Sequence, residues 1–176
     1  HPDDLDADLV VLPGSRATVA DLAWLRSAGL ARALTCTDAS VLGICAGYQM
    51  LGQRINDEIE SGTGRVEGLG LLPVETTFAA PKVVRQHGAG YEIRWGRPEP
   101  AEILDGRICG TSVHGLFDDD TFRRGFLATV AAGRDRRFEP APTPYADAVD
   151  AHLDHLADWL REHADLAAID EIATSV

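Results

Sequence analysis

The sequence has little positive charge. Among its 16 basic residues only Lys82 is a lysine, and 28 acidic residues bring the net charge to -12. Nucleic acids and anionic membranes bind through basic patches, so this shortage argues against both kinds of partner. Long apolar runs are missing as well, because none approaches the roughly 18–20 residues that a membrane-spanning helix needs.

Cysteine is also scarce, with three residues at Cys36, Cys45 and Cys109. Such a small, odd number argues against a disulfide framework and predicts a reducing, cytoplasmic setting. The 45% of hydrophobic and 25% of charged residues over 176 positions are typical of a globular domain with a core. We expect one domain over residues 1–176, and because the chain begins with His1 we expect it to be part of a longer protein.

Apolar patterning predicts strands that alternate with helices. Continuous or alternating apolar runs predict strands at 9–12, 40–44, 69–74, 90–95 and 108–114. Helical spacing predicts helices at 18–29, from 46, from 118–120 and over 146–168. We expect Thr18 to cap the first helix, Gly29 to end it, and a polar, proline-containing loop at 133–145. The alternation predicts an α/β fold, a three-layer sandwich with a mostly parallel sheet.

The segment Gly43-Ile44-Cys45-Ala46-Gly47 matches a nucleophile elbow with cysteine in place of serine. In such an elbow a sharp strand-to-helix turn exposes the central side chain, and small flanking residues allow the close backbone packing. A helix N-terminus favours a thiolate, so we expect the pKa of Cys45 to be lowered. The flanking glycines favour this interpretation over a buried structural cysteine, which is the ordinary role of a free thiol.

A cysteine nucleophile needs a base, and His114 is the candidate because it ends the last predicted strand. The carboxyl ends of parallel strands lie along one edge of a sheet, where ligands bind. Cys45 and His114 can therefore meet although they are far apart in the chain. Considered by itself, His114 is equally well interpreted as a structural histidine.

Five segments, in order, resemble one family: LVVLPGSRATVADLAWLR, VLGICAGYQMLG, GLGLLPVETTF, GYEIRWGR and TSVHGLFDDDTFRRGFL. They resemble the carboxyl-terminal glutamine amidotransferase domains of the cobyric acid synthase family, a branch of the class I, Cys-His glutaminases. The similarity covers residues 8–160. It implies a class I glutamine amidotransferase-like (flavodoxin-like) fold in which the N-terminal part of the domain lies outside this chain.

The resemblance also implies a division of labour. This domain would release ammonia from L-glutamine, and a separate N-terminal synthetase domain would use ATP and Mg to amidate the corrinoid adenosylcobyrinic acid a,c-diamide. The sequence has no G-x-x-x-x-G-K-[ST] phosphate-binding loop, so ATP chemistry is expected outside this chain. We therefore expect no cofactor and no metal on these 176 residues.

Individual roles follow from the resemblance alone. Cys45 matches the family nucleophile and His114 its base. Three residues match positions that bind the oxyanion or glutamine: Gly14, Ala46 and Gln49. Three more fall in family motifs without an assigned role: Lys82, Tyr91 and Glu92.

The chain departs from the family pattern at three positions. Ala46 replaces a glycine, which a main-chain oxyanion donor tolerates. Arg94 replaces the histidine of Gly-Tyr-Glu-Ile-His, which puts any role there in doubt. Leu116 replaces the glutamate of the usual His-x-Glu, so the group that orients His114 is absent or comes from elsewhere: Asp118, Asp119 or the missing domain.

Two other interpretations stay open at this point. The chain also resembles the glutaminase subunit of peptidoglycan-amidating complexes, although Gly-Tyr-Glu-Ile and His-Gly-Leu-Phe-Asp favour the corrinoid branch. Alternatively, it is a non-catalytic docking module, an interpretation that is allowed because Leu116 replaces the usual glutamate. The last predicted helix carries His152, His155 and His163, and we interpret them as a solvated face rather than a metal site.

Overall fold

The computed structural model describes residues 6–88 and 90–175. The chain divides into two compact units, His1–Phe138 and Glu139–Val176, which are described separately. The strands of the first unit are β1 (Leu9–Leu12), β2 (Ser40–Ile44), β3 (Arg54–Asp57), β4 (Gly64–Glu67), β5 (Glu75–His87), β6 (Gly90–Glu99), β7 (Glu102–Ile103) and β8 (Ile108–Thr111). Its helices are α1 (Thr18–Ser27), α2 (Leu30–Cys36), α3 (Ala46–Leu51) and α4 (Asp120–Ala132), and the second unit contains α5 (Tyr145–His163) and α6 (Leu166–Thr174).

One sheet has the order β1-β2-β8-β7. The first three strands are parallel, with Leu12 beside Gly43 and Ile44 beside Thr111 at their carboxyl ends. The short β7 is antiparallel to β8. Because β1, β2 and β8 end at the same edge, the segments that follow them converge there. This confirms the predicted α/β class with a parallel sheet.

A second sheet, with the order β4-β3-β5-β6, was not anticipated from the sequence. It is mixed, since β3 and β5 are parallel whereas β4 and β6 pair antiparallel with their neighbours. The predicted strand at 69–74 was wrong, and this segment is a loop between β4 and β5. Leu69 N–H donates to the Met50 carbonyl (2.8 Å) and Leu71 N–H to the Leu51 carbonyl (2.9 Å). The segment thus satisfies carbonyls at the end of α3, which a helix leaves without partners.

Several predicted boundaries shift by a few residues. Thr18 is the first residue of α1 and not its cap, because Ala17 occupies that place and donates its N–H to Ser15 Oγ (2.9 Å). Gly29, with φ of 77°, separates α1 from α2. The strand expected at 108–114 ends at Thr111. Asp119 caps α4 by accepting the Phe122 N–H (2.7 Å), so the helix expected from 118–120 begins there.

Helix α3 lies at the centre of the first unit, and all six of its residues are buried. One cluster of buried apolar side chains contains Leu12, Leu34, Val41, Tyr48, Leu51, Leu72 and Val74. A second contains Leu22, Ala46, Met50, Ile55 and Phe78. Since α3 contributes to both clusters, the position of its first turn is set by packing on two sides.

The second unit consists of two helices with no buried residue. The helix predicted over 146–168 ends at His163, and a new helix begins at Leu166. His163 stacks on Trp159 (4.9 Å between ring centroids) and shares a hydrogen bond with its carbonyl. Across residues 6–88 and 90–175 no group of three or more His, Cys, Asp or Glu side chains is arranged to hold a metal. In the same residues no helix has the length and apolar character needed to cross a membrane.

Gly47 brings α3 into contact with β1. A Cβ atom at this position would lie 2.0 Å from the Leu12 carbonyl oxygen, and 2.7 Å from the carbonyl carbon. Real Cβ atoms do not approach backbone this closely, and neither segment can move without disturbing the buried clusters. The absence of a side chain at Gly47 is therefore what allows α3 to start where it does.

We predict that Gly47→Ala lowers the free energy of unfolding by about 2–3 kcal/mol, because overpacking a core contact costs this much. Urea denaturation followed by circular dichroism measures the change. The matched control is Gly125→Ala in α4, where a Cβ would meet nothing within 4 Å. This control should raise stability by up to about 1 kcal/mol through helix propensity. Equal, small effects of both substitutions would show that α3 does not press against β1.

Candidate active site

Cys45 occupies a strained turn between β2 and α3. Its φ is 53° and its ψ is -107°, a conformation that residues with a side chain rarely adopt. The turn is held from both sides, since the Cys45 N–H donates to the Thr111 carbonyl (2.8 Å) and the Cys45 carbonyl accepts the Gln49 N–H (3.1 Å). The structure therefore contains the strand–turn–helix that the Gly43–Gly47 segment predicts.

Burial raises the pKa of the Cys45 thiol above its usual value. The N–H of Ala46 and the positive charge of Arg94 act in the opposite direction, but they do not offset the loss of hydration. The expected lowering of this pKa was wrong for the protein without substrate. The reason is that Cys45 is only 6% exposed, whereas α3 is six residues long and supplies a weak dipole. The resting side chain is a neutral thiol.

Gly14 lies between Cys45 and His114. A Cβ built on Gly14 would be 2.7 Å from His114 Cε1 and 3.6 Å from Cys45 Cβ. Gly14 follows β1, Cys45 follows β2 and His114 follows β8, so three strand ends bring the three residues together. The structure assembles the predicted group at the edge of the parallel sheet, and the chemical roles of its members stay predictions.

The His114 ring is partly enclosed. Burial lowers the pKa of its imidazole, so the ring is neutral near pH 7. Its Nε2 is buried and has no hydrogen-bond partner in the described part of the chain. The ring stacks on Tyr91 with 5.0 Å between ring centroids and 14° between planes. A neutral imidazole with an unoccupied nitrogen can accept a proton.

The sequence left open whether Asp118 or Asp119 orients His114. The Asp119 carboxylate caps α4 through Phe122, and Asp118 lies in a short 3-10 turn at Leu116–Asp118. Within residues 6–88 and 90–175 no carboxylate is hydrogen-bonded to the His114 ring. The usual third member of such a site is therefore not supplied by either of these two residues.

A small polar cavity of about 100 Å³ adjoins Cys45. Gln49 contributes its amide side chain, which lies against Gly96, where a Cβ would come within 2.7 Å of the amide atoms. Gln49 Oε1 is buried and has no partner among the described residues, so it is an acceptor available to a donor in the cavity. The cavity is lined by Ser15, Arg16, Thr18, Cys45, Ala46, Gln49, Glu60, Phe78, Lys82, Ile93, Arg94, Trp95 and Gly96.

Arg94 and Glu92 form a buried ion pair beside this cavity. Arg94 Nε and Nη2 donate to Glu92 Oε1 at 2.9 and 2.7 Å, and His87 Nε2 lies 2.8 Å from Glu92 Oε2. Burial alone would raise the pKa of Glu92, but the hydrogen bonds from Arg94 and His87 hold it below its usual value. Glu92 is therefore an anionic partner that holds the Arg94 side chain in place. From the sequence, any role for Arg94 was in doubt.

Lys82 also faces the cavity, with Nζ 5.7 Å from the centre of the Trp95 ring. Among the lining residues that the sequence analysis did not single out, two are charged, Arg16 and Glu60. Burial, followed by the charge of Asp57, raises the pKa of Glu60, while Lys82 and Arg16 act against this. Arg16 lies within the first segment that resembles the family but was assigned no role there, and Glu60 lies in none of the five segments. Only the fold brings the two residues to the cavity beside Cys45. Charges of both signs therefore surround the cavity.

Comparisons with known proteins agree with this geometry. Residues 1–102 match the family described as CobB/CobQ-like glutamine amidotransferase domains. A cobyric acid synthase from Frankia casuarinae is 48% identical over 193 residues, covering 96% of this chain and 37% of that protein. Cobyric acid synthases from Mycolicibacterium paratuberculosis (48% identical) and Streptomyces coelicolor (46% identical) also match 96% of this chain and 38% of their own length.

The solved structures support the fold. A crystal structure of a glutamine amidotransferase is similar with a TM-score of 0.53 and 17% identity, covering 73% of this chain and 82% of that one. This confirms the predicted fold class. The chain spans about two fifths of the length of the curated relatives that it matches. Because the family match over residues 1–102 covers more than half of the chain, the chain belongs to the CobB/CobQ-like glutamine amidotransferase family.

Proposed function

We propose that this chain is the glutaminase part of a cobyric acid synthase and releases ammonia from L-glutamine through a Cys-His thioester mechanism. One observation carries the proposal. Cys45 stands on a strained elbow, and Gly14 lies within contact distance of both its side chain and that of His114. A buried thiol at a polar cavity, with a neutral imidazole on the other side of Gly14, offers the nucleophile and the base that attack on a carboxamide requires.

The cavity offers groups that suit glutamine. The free amino acid carries an ammonium and a carboxylate at one end and a carboxamide at the other. Glu60 supplies a negative charge for the ammonium, and the cations Arg16, Lys82 and Arg94 surround the place for the carboxylate. The unpaired Gln49 Oε1 can accept an N–H of the substrate. A substrate with both charges is therefore favoured over one that lacks either.

The first half of the reaction begins from two neutral groups. His114 accepts the thiol proton of Cys45 as the sulfur attacks the carboxamide carbon, giving a tetrahedral intermediate. The backbone N–H groups of Ala46 and Gly14 stabilise its oxyanion, a contribution of about 3–4 kcal/mol per donor in comparable sites. The imidazolium then protonates the leaving nitrogen. The C–N bond breaks, ammonia departs, and a glutamyl thioester remains on Cys45.

The second half hydrolyses the thioester. Neutral His114 takes a proton from a water molecule, and the resulting hydroxide attacks the thioester carbon. The C–S bond breaks, the imidazolium returns its proton to the Cys45 sulfur, and glutamate leaves. The enzyme is restored with a neutral thiol and a neutral imidazole.

The acceptor of ammonia would bind outside these residues. We assign the amidation of adenosylcobyrinic acid a,c-diamide, with its ATP and Mg, to the part of the protein that this chain does not span. The sequence has no P-loop, which is the reason for placing ATP and Mg outside this chain. In this proposal it supplies ammonia to a corrinoid-amidating step of cobalamin biosynthesis.

A glutaminase assay with single variants tests the proposal. Cys45→Ser and His114→Asn should each lower glutamate production by roughly 10³-fold or more, because both groups take part in every step. Cys36→Ser, at an exposed thiol, is the control and should keep the normal rate. In the full-length protein, Cys45→Ser should leave amidation with added ammonia largely intact. Loss of both activities in Cys45→Ser would show that Cys45 has a structural role. If neither the unmodified chain nor the unmodified full-length protein hydrolyses glutamine, the domain is a non-catalytic docking module.

The acid side of the pH profile should reflect His114. Its lowered pKa keeps the imidazole neutral to a lower pH than an ordinary histidine, whose pKa is about 6.5. We predict that the acid-side decline of kcat/KM for glutamine is centred below pH 6.5. Initial rates between pH 4.5 and 9 measure this. A decline centred above pH 6.5 would contradict a neutral, partly buried base.

A further inference from the structure

Among the described residues no carboxylate is hydrogen-bonded to the His114 ring, yet the ring is held by other contacts. We propose that Tyr91 is the positioning residue that holds this plane, an inference that rests on the proposed glutaminase function. In a Cys-His-Glu site a carboxylate accepts the imidazole N–H and fixes the ring by a hydrogen bond. Here a stacked aromatic ring, instead of a hydrogen bond to a carboxylate, holds the orientation of the imidazole.

The backbone is the first constraint on His114. The Tyr91 N–H donates to the His114 carbonyl (2.9 Å), and the His114 N–H donates to the Tyr91 carbonyl (2.7 Å). These two bonds form an isolated antiparallel bridge between β6 and the segment after β8. Gly90 allows this close approach, because a Cβ there would lie 2.6 Å from the His114 carbonyl oxygen. The base is thus tied to the strand that carries Tyr91.

The side chains form the second constraint. The Tyr91 and His114 rings are nearly parallel, with centroids 5.0 Å apart and 14° between planes. The edge of the imidazole lies at Gly14, where a Cβ would meet Cε1 at 2.7 Å. Turning the imidazole out of its plane would break the stack, which favours offset parallel rings. The face of a tyrosine ring also attracts the imidazolium that forms in the first half of the reaction.

Strand β6 itself is firmly anchored next to Tyr91. Glu92 is 5% exposed and holds Arg94 and His87 through three hydrogen bonds. Tyr91, on the opposite face of the strand, is 46% exposed and belongs to neither core cluster. The ring can therefore be removed with little loss of core packing, which separates its effect on His114 from an effect on folding.

The test compares Tyr91→Phe, which keeps the aromatic stack, with Tyr91→Leu, which removes it. Tyr91→Leu should lower kcat roughly 10–100-fold with little change in KM, as expected for a misplaced catalytic group. Tyr91→Phe should retain most of the normal kcat. The matched control is Tyr145→Leu, which removes a tyrosine ring of similar exposure (42%) from the second unit and should leave kcat unchanged.

A spectroscopic measurement detects the stacking of the two rings independently of enzymatic activity. In the NMR spectrum of the chain the ring current of residue 91 should shift the His114 Cε1 proton upfield. The shift should persist in Tyr91→Phe and disappear in Tyr91→Leu, while the midpoint of thermal unfolding changes by only a few degrees. Should Tyr91→Leu fail to fold, Tyr91→Val, which suits a strand, replaces it.

The outcomes separate this inference from the proposed function. The role of Tyr91 is overturned if a folded Tyr91→Leu or Tyr91→Val variant has a normal kcat or an unchanged His114 chemical shift. Either result leaves the proposed glutaminase function unaffected. An equal loss of activity in Tyr91→Phe and Tyr91→Leu also overturns the stacking role. An inactive normal protein overturns the glutaminase itself. A selective loss of kcat and of the shift in Tyr91→Leu supports the inference.

Discussion

At Cys45 the chain turns from β2 into α3 with a positive φ, and the rest of the first unit is arranged around this turn. The Thr111 carbonyl holds the Cys45 N–H, and the missing side chain of Gly47 lets α3 lie against β1. The buried helix then fixes both core clusters. Because the same turn places the Cys45 side chain next to Gly14, which also contacts His114, the conformational strain at Cys45 and the geometry of the site have one origin.

The electrostatics of the site differ from those of a cysteine activated at rest. Burial raises the pKa of Cys45 and lowers that of His114, so both groups are neutral before glutamine binds. In the mechanism that we propose, charge separates only when the thiol loses its proton during the attack, and the oxyanion donors then stabilise the product. A neutral thiol resists side reactions. In the proposed mechanism the chain thus combines a protected nucleophile with a base that is ready to accept a proton.

The features that depend on the local order of residues in the chain could be predicted from the sequence. The elbow at Cys45, the parallel strands and the placement of Cys45 and His114 around Gly14 follow from residue spacing and from the rule that strand ends share an edge. The second sheet was not predicted, because its strands β3 and β5 pair across an intervening segment and no local pattern records that pairing. Residues 69–74 have the apolar pattern of a strand but bond to the end of α3 instead. The pKa of Cys45 and the contact between Tyr91 and His114 depend on burial and on distant pairing, which no local pattern records.

The central claim is that Cys45 forms a covalent bond with the glutamyl group. Mixing the protein with isotopically labelled glutamine, quenching with acid within the first turnovers and mapping the peptides by mass spectrometry tests it most directly. The account predicts a labelled glutamyl thioester on the peptide that contains Cys45, removed by hydroxylamine and absent from Cys45→Ser. Steady production of labelled glutamate without any adduct on Cys45, or an adduct on Cys36 or Cys109, would contradict it.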